Sequence, residues 1–215
     1  MRIVIILSAF LLGIFALVVF EAANASAAMR NRAEHASLTD SVDVRAALLL
    51  QAEAIVRNDP LQRTNWHSGA AENTSWVKLL QALSAQSTQE RLIGMRAARD
   101  FAQRSVQNAP ISAATWLRLA LLDESGIPNG VCLRNECLAY AFKAAPIARR
   151  ELACARADAA IRAGMIVKPI DPKILDLSLS GVNSRGVSEC LPSASPQFLF
   201  ATMLQFRRVE SRAKK

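Results

Sequence analysis

Four cysteines and two histidines are the residues of this 215-residue chain best suited to covalent or metal chemistry. The cysteines are Cys132, Cys137, Cys154 and Cys190, all in the C-terminal half; the histidines are His35 and His67. An even set of cysteines behind an export signal reads as disulfides, because thiols oxidise outside the reducing cytoplasm. Zinc is a second reading: four residues separate Cys132 from Cys137, a tolerated ligand spacing, but no CxxC or Cys/His pair follows. Buried free thiols are the third. A cysteine nucleophile needs a base to make its thiolate, and His67 is the one candidate.

Three disulfide connectivities are open. Cys137 and Cys154 flank the Ala145-Pro146 turn at nearly equal distances. If that turn joins two antiparallel helices, the two cysteines fall at one level and need only matching faces to bridge. Cys132 with Cys190 is then the remaining pair, and Cys132 with Cys137 is the main competitor.

Other chemistry is sparse. HExxH, GxSxG and a phosphate-cradling glycine loop are all missing from the sequence. The glycines of "SGVNSRGVSEC" follow no strand, so they make no nucleotide loop. Asp123 and Glu124 could be drawn as a glycosidase pair, yet adjacent helical residues point to different faces. Sugar-stacking aromatics are scarce, with Tyr140 the only tyrosine and Trp66, Trp76 and Trp116 suited to packing helices. The sequence therefore assigns no catalytic, cofactor-binding or metal-binding residue, and the expectation is a protein that is not an enzyme and takes no cofactor. The basic C-terminus, Arg207 to Lys215, suits anionic headgroups or simply a helix end, where cations complement the dipole.

The elements that must position these residues begin with an apolar run. Ile3 to Phe20 holds 18 residues without a charge, the lower end of what crosses a bilayer as a helix. Arg2 precedes it, Glu21 closes it, and small residues follow at Ala23, Ala25 and Ala27. A cleaved signal has an apolar region of about 7 to 15 residues; this longer one favours a retained anchor, with the cleaved signal as the competitor. Residues 1–25 are thus a signal anchor or signal peptide, residues 26–40 a tether, and residues 41–213 the body. Either way the body is expected across the membrane, in the periplasm. Arg30 and Arg32 beyond the segment do not help that orientation under the positive-inside rule.

The chain carries 26 basic and 18 acidic residues, a net +8. That balance speaks of partners rather than fold. With an export signal the expectation is anionic lipid, an anionic polymer or a solvated surface, and no nucleic acid.

Alanine-rich segments with caps and stops give an all-α reading of about eight helices in antiparallel pairs. One helix runs from Asp40 or Ser41 to Asn58, ahead of Pro60. Another starts at Asn73 to Ser75. Ser87 and Glu90 form a capping box, and Ser112 caps a helix that stops at Gly126. Helices follow over "LRNECLAYAFKAA" and from Pro146 to Gly164. Asp171-Pro172 and Ser195-Pro196 open two more.

Two of these segments echo each other. "NDPLQRTNW" at Asn58 and "NAPISAATW" at Asn108 share Asn, Pro and Trp at an offset of 50; Trp76-x-x-Leu79 and Trp116-x-x-Leu119 match at an offset of 40. Trp116, Leu119 and Ala120 follow the first-helix spacing of a tetratricopeptide unit, with Ala98, Ala102 and Pro110 where its second helix places small residues and a closing proline. Residues 41–125 thus resemble a degenerate tetratricopeptide-like repeat, with an ordinary bundle as the alternative. With the apolar N-terminus and "LAYAFKAAPIARRELACARADAAIRAG", the chain resembles small single-pass bacterial envelope proteins found with exopolysaccharide synthesis and export systems. The resemblance implies a non-catalytic scaffold or adaptor on the outer face of the inner membrane, with a protein partner in a polysaccharide assembly and a membrane contact through residues 3–20. The alternative is an envelope enzyme or binder acting on an anionic glycan. A repeat presents its first helices to partners, which points to Val77, Lys78, Arg118 and Asp123 as the interaction surface.

Overall fold

The structure, a computed structural model, describes residues 2–58, 68–145, 150–165 and 190–195. The described residues are all-helical, with seven helices: α1 (Arg2–Leu38), α2 (Val42–Asn58), α3 (Ser68–Ser84), α4 (Thr88–Asn108), α5 (Ala113–Glu124), α6 (Arg134–Ala144) and α7 (Arg150–Arg162). The helices expected after Asp171 and Ser195 lie outside the described residues, as do the repeat half from Pro60 to Trp66 and the turn at Pro146. The chain divides into two units, Met1–Ala109 and Pro110–Lys215.

In the first unit, α1 corrects the tether. The helix does not stop after the apolar run but continues unbroken to Leu38. Alanine and other strong helix formers fill residues 22–38, and no glycine or proline interrupts them. Met29, Ala33 and Ala36, spaced by four and three, are all fully buried, so they form one stripe. That stripe packs with Leu49 and Ala52 of α2 and Val77 of α3, flanked by Leu48, Ile55, Trp76 and Leu80. Upstream, Leu12, Phe15, Leu17 and Phe20 are exposed. Over Leu12–Leu38, α1 contains a window long and apolar enough to cross a membrane.

The α3 helix starts earlier than its capping residues suggest. Thr74 Oγ1 donates back to Ala70 O at 2.8 Å, Ser75 Oγ donates to Ala98 O of α4 at 2.7 Å, and Asn73 Nδ2 donates to Ser26 Oγ of α1 at 2.8 Å. The side chains read as caps are spent on seams between helices. α4 begins where its sequence signals: Ser87 accepts from Glu90 N. Its pairing with α3 is close, because a Cβ at Gly94 would lie 2.8 Å from Ala82 Cβ. Ala98 and Ala102 are buried.

In the second unit, Ser112 accepts from Thr115 N and caps α5. Trp116 Nε1 donates to Pro110 O at 2.8 Å, and its ring lies 4.8 Å from that of Tyr140. That bond explains the six-residue spacing of proline and tryptophan. Gly126 takes φ 79° after α5 and Gly164 takes φ 69° after α7, the left-handed conformation that glycine adopts at little cost.

Candidate functional site

The expected interaction surface needs correction. Val77 is 1% exposed and belongs to the α1–α3 core. The first helix of a repeat has a free face only when neighbours leave one. α3 packs against α1, α2 and α4 together, and Val77 faces inward. Arg118 is 8% exposed, on a helix buried on nearly every side. Lys78 is partly buried and engaged: its Nζ lies 3.0 Å from Glu53 Oε1 and 3.1 Å from Gln81 Oε1. Asp123 is half-buried. Of the four, Lys78 and Asp123 retain exposure, each in its own unit.

The cysteines form two disulfides, Cys132–Cys137 with Cα atoms 5.5 Å apart and Cys154–Cys190 at 4.8 Å. This corrects the pairing favoured from the turn. Equal distance from a turn sets level but not face. Cys137 faces its own preceding loop, with Sγ 3.6 Å from Asn129 Nδ2. The α7 residue that meets α6 is Arg156, two positions round the helix from Cys154. No cysteine among the described residues is a free thiol, which removes the nucleophile. His67 lies outside the described residues, and His35 is exposed in the last turn of α1. Among the described residues no group of three or more His, Cys, Asp and Glu could hold a metal.

Asn129, 3% exposed, organises the loop before α6: its Oδ1 accepts from Val131 N at 2.9 Å and Cys132 N at 3.0 Å. Glu136 Oε2 accepts from Leu133 N at 3.0 Å, closing the helix start. These partners satisfy backbone donors that a helix N-terminus would otherwise orphan.

Two arginines of α7 play opposite parts. Arg156 is fully buried; its Nη1 donates to Ala141 O at 2.8 Å and Ala145 O at 2.6 Å, and its guanidinium lies 4.8 Å from the Phe142 ring centroid. It satisfies the last carbonyls of α6, the end where a cation suits the dipole. Burial lowers its pKa, and its Nε and Nη2 have no hydrogen-bond partner. Arg162 is more open. Its Nε lies 2.9 Å from Glu124 Oε1, and its Nη1 contacts Asp158 Oδ2. The hydrogen bond to Glu124 leads in raising its pKa. A raised cation stabilises the fold below its unfolded pKa and loses that contribution only as pH climbs through the folded value, so the seam persists at neutral pH. Glu124 also approaches Arg134 Nη2 at 2.7 Å. Asp158 accepts from Ser193 N at 2.9 Å and Ser193 Oγ at 3.1 Å. Together these charges tie α5, α6, α7 and the 190–195 segment. They are structural work, since each is spent on a protein partner.

The sequence reading missed this seam and Arg156. Glu124, Asp158 and Arg162 are far apart in sequence, and only Asp158 and Arg162, one helical turn apart, carried a local signal. No protein-family model, no curated protein and no solved structure matches this chain.

Proposed function

We propose that this protein is a membrane-anchored, non-catalytic scaffold on the outer face of a bacterial inner membrane, holding a protein partner in an envelope assembly of the kind that makes or exports an exopolysaccharide. The observation that carries the reading is the unbroken passage of α1 from its exposed apolar stretch into the packed α1–α3 core. An anchor joined through a flexible tether lets a body wander; one built into the core fixes the body at the bilayer. Two disulfides support an oxidising compartment. The charged side chains of the second unit are committed to internal pairs, which supports holding rather than chemistry.

The test is site-specific photocrosslinking in intact cells, with the reactive residue placed at Asp123 or at the exposed Ile93. The reading expects adducts with envelope proteins of a polysaccharide system, and loss of secreted polymer when the gene is deleted. Adducts confined to cytoplasmic proteins, or unchanged polymer output, would overturn it.

A further inference from the structure

Side-chain bonds across the first unit set how far each helix reaches toward the bilayer. Asn73 donates to Ser26 O at 3.2 Å and Ser26 Oγ at 2.8 Å, so α3 is level with α1 there. Met29 and Val77 meet in one cluster a turn further on, so these helices climb in parallel. α4 descends beside α3: Ser75 meets Ala98, and Ala82 meets Gly94. Ser75 stands about 3 Å above Asn73, and Arg104 about 9 Å below Ala98, at 1.5 Å per residue. Arg104 therefore sits about 6 Å nearer the apolar run than Ser26 does. That is the level of Glu21 and Ala22, where the uncharged stretch ends. Phe101 falls close to the level of Ser26.

The side chains at this level suit a lipid interface. Arg104 is exposed and its guanidinium lies 5.3 Å from the Phe101 ring centroid. An aromatic ring at headgroup depth with a cation beside it is the pairing that bilayer surfaces accept. The nearby Asp100 is neutralised by Arg99 at 2.7 Å, so it does not repel an anionic surface.

We propose that the last turns of α4 form a second membrane contact, in which Arg104, carried on Phe101, takes the phosphate of an anionic phospholipid beside α1. This deepens the scaffold reading and rests on α1 spanning the bilayer. Two points of contact, unlike one, fix the tilt of the α1–α4 body.

The test uses the full chain in phosphatidylcholine bilayers with and without phosphatidylglycerol. Single nitroxide labels on cysteines introduced at Leu17, Ile93 and Gln107 are relaxed by oxygen or by an aqueous nickel chelate. Leu17 is expected in lipid, Ile93 in water and Gln107 shielded from the chelate. Phosphatidylglycerol should raise the shielded-to-exposed ratio at Gln107 about fivefold, equivalent to about 1 kcal/mol for one arginine at an anionic surface. Arg104→Gln should abolish that rise, with helix content unchanged by circular dichroism. A Leu17 label in lipid with Gln107 as wet as Ile93 would overturn the second contact alone. Shielding at Gln107 that ignores both phosphatidylglycerol and Arg104→Gln would overturn the anionic-lipid assignment. A Leu17 label in water would overturn the span itself, and this proposal with it.

Discussion

Gly94→Ala tests the α3–α4 seam with two opposing terms. Replacing a mid-helix glycine by alanine ordinarily stabilises by about 0.5 to 1 kcal/mol, through backbone entropy. Here the new methyl would lie 2.8 Å from Ala82 Cβ and 3.2 Å from Ala82 Cα. Neither atom belongs to a flexible side chain that could swing aside, so the helices must part. Overpacking of that sort costs about 1 to 3 kcal/mol. The net is a destabilisation of about 1 kcal/mol, with the clash outweighing the propensity. Ala82→Gly should relieve it, so the pair should show a favourable coupling of about 1 kcal/mol in a double-mutant cycle. Two units make a single melting temperature ill-defined. Native-state hydrogen exchange at α4 amides reports the seam directly, and about 1.4 kcal/mol reads as a tenfold loss of protection. If Gly94→Ala raised protection by the full propensity gain, the close approach of the two helices would be refuted.

Trp116→Ala should cost about 3 to 5 kcal/mol in the second unit, since the ring is buried against Tyr140 and its indole N–H is bonded to Pro110; denaturant unfolding followed by the α5 amides checks it. Asp158→Ala should cost about 2 to 4 kcal/mol, because it strands Arg162 and the Ser193 amide. Faster exchange at the Ser193 amide is the readout. Tryptic mapping without reductant should recover Cys132 linked to Cys137 across the cleavage at Arg134, and Cys154 linked to Cys190. A peptide joining Cys137 to Cys154 would refute the pairing.

Local chemistry was legible in the sequence and tertiary partnership was not. Ser87, Ser112, Gly126 and Gly164 act where their types predict, because a cap or a left-handed turn involves only neighbours in the chain. Asn73 to Ser75 mimic a cap, but α1 and α4 claim their side chains. Ser26 to Leu38 reads as a tether by its polarity, and the buried stripe Met29, Ala33, Ala36 shows its meaning only once α2 and α3 lie against it. The disulfides turned on which α7 residue faces α6, a rotation that spacing from a turn does not fix. Val77 and Lys78 are adjacent, yet one enters the core and the other pairs with Glu53. First-helix exposure fails as a rule when three neighbours surround the helix.

The claim beneath all of this is that α1 carries the disulfide-bearing body to the oxidising side of a membrane. Lys143, exposed in the last turn of α6, offers a direct check. Intact spheroplasts are treated with an amine reagent that cannot cross the bilayer, and the Lys143 peptide is followed by mass spectrometry. The account predicts modification at Lys143 before the membrane is opened. Modification that appears only after permeabilisation would contradict it.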